Sequence, residues 1–274
     1  MQDEEACGNC GWSWSIAGEG APDDSGRSST TVPENSSTTI EDRLPEEASA
    51  TSAPALDRSD GQLWFELSVV DAVTVIPAFY GAMQGIFEPF TQSYTAGATN
   101  LLVFSVCAAW VPIYLIRNNG ESLSDFGIKR PQLADIIAGI LIVPFVEVLW
   151  IVYWDFIPLS VEIPLQEEFV RPTTSVEYSL MVASHLANAF HEELVLRAYL
   201  ITRLCVLLKS RRRAVIVAAA VFASYHIYQG AISTGGIFLF GIFFGVLWLL
   251  FRRLWPLVIA HAISNILLEV FDWW

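Results

Sequence analysis

Phe190-His191-Glu192-Glu193-Leu194-Val195-Leu196-Arg197 sits inside an apolar run that extends over residues 181–208. Two adjacent carboxylates and a guanidinium are costly in such surroundings, so they are usually paired and usually functional. On a helix, Glu193 and Arg197 stand at i and i+4 and can pair directly. Glu192 lies about 100° round from Glu193, on a stripe with Asn188 and His185. One carboxylate is then neutralised in place, and the other is left to face a different partner.

The rest of the chain is as apolar as this run. Of its 274 residues 53% are hydrophobic and only 16% are charged, against about 25% charged in a typical soluble domain. The net charge of −14 is unevenly spread: residues 1–60 hold 13 acidic and 3 basic side chains, and the remainder is nearly balanced. That first stretch is rich in Ser, Thr, Pro, Glu and Asp and lacks helical or strand periodicity, so it is expected to be a disordered acidic tail, 1–60. The opening Met-Gln-Asp-Glu-Glu has the wrong charge for a secretory signal and no apolar core follows it, so none is expected there. Four cysteines are too few for a disulfide framework. Cys7 and Cys10 form a lone Cys-x-x-Cys with no second pair nearby to complete a four-ligand zinc site.

From Leu63 onward, apolar runs recur at the length a bilayer requires. Seven candidate spans lie at about 64–86, 99–116, 133–157, 177–202, 212–228, 231–251 and 255–272. The expected fold is therefore all-α: a polytopic membrane helix bundle of about seven transmembrane helices, residues 61–274, behind the tail. The basic residues fit that count. Arg117, Lys129 and Arg130 follow span two, Arg203, Lys209 and Arg211–Arg213 follow span four, and Arg252 and Arg253 follow span six. The loops on the other side hold only Arg171. By the positive-inside rule the N-terminus is cytoplasmic and the C-terminus lies on the opposite side. The segment 117–132 reads as a short cytoplasmic amphipathic piece ended by Pro131.

Three spans carry polar groups at membrane depth. Span four has His185, Asn188, His191, Glu192, Glu193 and Arg197; span five ends in Phe222-Ala-Ser-Tyr-His226; span seven has His261 and Asn265 one turn apart. Counted at 1.5 Å per residue from the basic ends, Glu192, His226, His261 and Asn265 fall roughly 12–20 Å deep, so they can converge. Interhelical hydrogen bonding alone, worth about 0.6 kcal/mol per contact, does not call for a carboxylate, two imidazoles and an amide together. His191-Glu192 begins like a zincin motif, but Val195 occupies the place of its second histidine. Glu192, His226 and His261 remain chemically able to bind a metal.

Glu192-Glu193-x-x-x-Arg197, Phe222-x-x-x-His226 and His261-x-x-x-Asn265 resemble, in order and on separate helices, the three motifs of the CAAX protease and bacteriocin-processing (CPBP, or Abi) family of intramembrane endopeptidases. The resemblance covers about 176–270, and Leu123-Ser-Asp-Phe-Gly-Ile is similar to a preceding family segment. It implies a general base at Glu192, with His226 holding the water and shuttling its proton. It implies oxyanion donors at His261 and Asn265. Glu193 and Arg197 are then structural, and Phe222 packs beside the site. That mechanism needs no cofactor, while a divalent metal such as zinc stays open because the family has also been described as metal-dependent. The implied partners are the lipid bilayer and a membrane protein or lipidated peptide as substrate, with no nucleic acid. Two other classes remain: a non-catalytic membrane protein of the same fold that binds peptides or serves as an immunity or scaffold protein, and a proton-coupled transporter. The clustering of charge in the last four spans and the lack of an internal repeat weigh against the transporter.

Overall fold

The structure, a computed structural model, describes residues 59–80, 93–156 and 171–271. The acidic stretch with Cys7 and Cys10 lies outside them, apart from its last two residues. Those two begin the fold: Ser59 accepts a hydrogen bond from the Gln62 backbone and Asp60 is the first helical residue, a capping box that fixes the start of the first helix.

Seven helices follow at the places the apolar runs mark, and no strand occurs among the described residues. They are α1 Asp60–Tyr80, α2 Tyr94–Asn118, α3 Leu133–Asp155, α4 over 175–208, α5 Arg211–Ser224, α6 Gly230–Phe251 and α7 Leu254–Phe271. Side-chain caps set most of the starts: Ser93 for α2, Thr174 with Glu177 for α4 and Ser210 for α5. The breaks after α4 and α6 fall at Lys209 and Arg252, both at φ 48°, a left-handed turn that ends each helix.

Five of the seven are long and apolar enough to cross a membrane: α1, α2, α3, α6 with the turn that precedes it, and α7. The other two depart from the expected spans for different reasons. The helix α4 carries too many polar residues, and α5, at 14 residues, is too short. The expected span 212–228 ends early because the helix stops at Ser224, and Tyr225 and His226 lie in the turn beyond it. Val103, Trp110 and Tyr114 on α2, and Ile140, Leu141 and Phe145 on α3, all point outward. An apolar exterior of this kind suits lipid as solvent. The protein is an integral membrane protein.

The helix α4 is the axis of the bundle. Every residue from His191 to Cys205 is buried, because α1, α2, α5, α6 and α7 all pack on it. Within it, Glu193–Ile201 is π-helical, with hydrogen bonds from i to i+5. Such wide turns are rare and often occur at functional sites. A similar short stretch, Asp71–Val75, occurs in α1.

The segment after α2 is built into the end of the bundle. Leu123–Phe126 forms a 3₁₀ turn that buries Phe126 against Tyr199, with ring centroids 5.8 Å apart. Gly127 closes the turn at φ 69°, and a Cβ there would meet the Trp248 ring at 2.5 Å, so only glycine fits. Its carbonyl accepts the Leu254 N–H at 3.0 Å, and Trp255 Nε1 donates to the Lys129 carbonyl at 2.7 Å. This turn ties α2 to the start of α7.

Candidate active site

The side chains converge where α4 passes the end of α5 and the middle of α7. Glu192, Glu193 and Arg197 come from α4, Phe222 from α5, Tyr225 and His226 from the turn that follows, and His261 from α7. Glu193 is fully buried, and Glu192, Arg197 and His261 are 6%, 1% and 3% exposed. Charges so placed need partners, and each finds at least a partial one.

His261 connects the two carboxylates. Its Nδ1 lies 2.8 Å from Glu193 Oε1, a full hydrogen bond, and its Nε2 lies 3.5 Å from Glu192 Oε2, beyond normal hydrogen-bond length. Arg197 Nη1 is 3.3 Å from the same Glu193 oxygen. Neither terminal nitrogen of Arg197 makes an aligned hydrogen bond, so this pair is held by charge and not by donor geometry. The guanidinium lies over the Phe222 ring at 4.4 Å and within 6 Å of Phe240 and Phe244, so its charge is met by π faces as well as by Glu193.

His226 takes its place from its own turn. Its Nδ1 is 2.8 Å from the Phe222 carbonyl oxygen. A carbonyl can only accept, so Nδ1 carries the proton and Nε2 of the neutral ring presents a lone pair. The ring packs against Phe222, at 4.8 Å between centroids, and Tyr225, at 4.5 Å. Tyr225 also donates its hydroxyl to Glu192 Oε1 at 3.2 Å.

These positions correct the sequence reading at several points. Glu193 is shared between Arg197 and His261, where helical spacing alone pairs it with Arg197. His185 and Asn188 do not stand with Glu192. His185 Nε2 lies 2.5 Å from Glu269 on α7, which also accepts from Tyr94 on α2, and Asn188 meets Ser105 on α2. His185, Asn188 and Glu192 all lie in the regular α-helical part of the helix, upstream of Glu193, so the wheel places them on one stripe, but it does not show which neighbour covers which length of that stripe. Asn265 is half-buried, and its side chain makes no hydrogen bond among the described residues. His191 turns away toward α2, edge-on to Phe104 at 5.5 Å, with both ring nitrogens unpartnered.

Three contributors were missed. Phe240 and Phe244 of α6 stack at 4.1 Å and lie within 6 Å of the His261 ring. The small residues of α6 are the signal that was available, since a Cβ at Gly241 would come within 3.0 Å of Ala219. Tyr225 was quoted within the motif but given no role. As for metals, no group of three or more His, Cys, Asp or Glu side chains is arranged to hold an ion among the described residues. Glu193 is engaged by His261 and Arg197, and Glu192 by Tyr225 through one oxygen.

Residues 174–267 match the family described as Type II CAAX prenyl endopeptidase Rce1-like. The match covers about a third of the chain, including all three motifs and the buried part of α4, and it agrees with the resemblance to the CPBP family. Neither the curated proteins nor the solved structures give a match.

Proposed function

We propose that this chain is an intramembrane endopeptidase that cleaves a peptide bond of a membrane-associated, lipidated protein by glutamate- and histidine-activated water. The observation that carries it is the gathering of Glu192, His226 and His261 from three separate elements, within the stretch similar to type II CAAX prenyl endopeptidases. Glu192 is the general base. His226, with Nδ1 committed to Phe222, offers Nε2 to the same water. With Nδ1 donating to Glu193, His261 serves as an oxyanion donor through Nε2 only as the doubly protonated imidazolium, and the amide of Asn265 one turn further on is the second donor. Glu193 and Arg197 anchor His261 from its other nitrogen.

The test is a proteomic comparison of membrane peptides in cells with the wild-type chain and with Glu192→Gln, followed by assay of purified protein on a farnesylated CAAX peptide. The variant should melt like the wild type and lose about 10²–10⁴-fold in turnover. Full turnover in Glu192→Gln would remove Glu192 as the base. Loss of the fold would assign it a structural role.

The orientation belongs to the same proposal. Arg117, Lys129, Arg130, Lys209 and Arg211–Arg213 are exposed, as expected of residues at a cytoplasmic surface. Cysteine labelling should place positions 129 and 212 on the cytoplasmic side and position 271 on the other. Labelling of 212 and 271 from one side would overturn it.

A further inference from the structure

Tyr225 stands immediately before His226 in the turn that ends α5, at φ −85° and ψ 0°. It is 7% exposed, and its ring packs against Phe222 at 5.7 Å and His226 at 4.5 Å. Its hydroxyl reaches across to α4 and donates to Glu192 Oε1 at 3.2 Å. The other Glu192 oxygen, Oε2, has His261 Nε2 as its nearest ionic neighbour at 3.5 Å, outside hydrogen-bond length. The two oxygens of the carboxylate are thus unequal, one held and one uncommitted. Turning the carboxylate plane away from this setting would break the bond to Tyr225.

We propose that Tyr225 is a positioning residue of the hydrolytic centre: its hydroxyl holds Oε1 so that Oε2 is the oxygen presented to the water. This rests on the reading of Glu192 as general base. In that step Oε2 takes a proton from water, and the oxygen so released forms the new bond to the scissile carbonyl carbon. When the tetrahedral intermediate collapses, the C–N bond breaks. The proton passes from Oε2 to the leaving nitrogen, and Glu192 returns to its starting form. Tyr225 keeps its own proton throughout. Its contribution is orientation, which counts because a base acts only within hydrogen-bond reach of the proton it removes. The turn serves two ends at once, since the residue that orients one proton acceptor is covalently next to the other.

Tyr225→Phe removes the hydroxyl and leaves the ring in its packing, so the variant should fold. Two measurements on the purified full chain test the role. In infrared difference spectra, the Glu192 carboxyl band, identified by its loss in Glu192→Gln, should shift in Tyr225→Phe. On a farnesylated CAAX peptide, kcat should fall about tenfold or more with KM within about twofold, the size of effect given by a hydrogen bond to a charged group. An unshifted band overturns the proposal whether or not the peptide is cleaved. So does a shifted band with unchanged kcat, or a loss that appears in KM alone. The arms also separate this proposal from the one beneath it. Inactive Glu192→Gln beside fully active Tyr225→Phe sinks the positioning role alone, whereas active Glu192→Gln sinks both.

Discussion

Charge is handled differently at the centre of α4 and at the ends of the helices. Beyond the π-helical stretch, Arg203 makes two parallel hydrogen bonds to Glu121, at 2.8 and 2.5 Å, and lies 3.4 Å from Glu66. Glu66 in turn accepts from Tyr199 and Asn119. Arg253 grips Asp135 at the start of α3 in the same two-pronged way, and this bond holds its guanidinium pKa above the ordinary value. At the other end, Glu269 accepts from both His185 and Tyr94. These are matched donor–acceptor pairs that lock one helix to the next. At the centre, Arg197 lacks an aligned bond, Glu193 Oε2 has no partner, and Glu192 Oε2 is uncommitted. Partial satisfaction in a low-dielectric interior is costly. The clamps at Arg203 and His185 hold α4 in place, and the groups between them are left chemically available.

The sharpest way to test that contrast is Glu193→Gln. It leaves Arg197 buried opposite a neutral amide and takes the anion from His261. Loss of one partner of a buried pair typically costs about 3–5 kcal/mol, so the melting temperature in detergent should drop by many degrees, with activity falling in step. If Glu193→Gln stayed as stable as wild type, the centre would not depend on its ion pair. Next in size is Arg203→Met, which takes the guanidinium away from Glu66 and Glu121 in a partly buried setting and should lose about 3 kcal/mol. Turnover per folded molecule should hold steady, and a selective fall in kcat would mean that the clamp is part of the chemistry. The smallest effect belongs to His185→Gln, a part-exposed contact worth about 1 kcal/mol. A change in melting of only a few degrees should follow, and a larger one would raise the outer clamp to the rank of the inner one.

The apolar runs made the helices legible, because membrane-length hydrophobic stretches have few other interpretations. The motif residues were legible too, as costly charges inside such runs. Glu192, Glu193, Arg197, Phe222 and His261 do meet, and His226 joins them through Tyr225 and Phe222. Partner assignment was not legible. His185 lies on the wheel stripe of Glu192, but that stripe says nothing of Glu269, 84 residues away in the chain. Tyr225 escaped notice because a tyrosine at a helix end is ordinary until the opposite carboxylate is known to lie 3.2 Å off. The aromatic wall of α6 was hidden by its uniformity, since nothing in an apolar helix marks the side on which Phe240 and Phe244 line a site.

The wide turns of α4 act as a phase adjuster between two fixed readings of one rod. Upstream, Glu192 and Glu193 must face α5 and α7; downstream, Arg203 must face α1 and the turn after α2. Each residue of an ordinary helix advances the face by a fixed angle, so the spacing from Glu193 to Arg203 would set both directions at once. The i to i+5 stretch over Glu193–Ile201 loosens that coupling. In such a rod the count of residues between the Glu192–Glu193 cluster and the Arg203 clamp carries information that their identity does not. Removing a single buried aliphatic residue there would cost more than its packing, because one end would have to turn out of register with its partners.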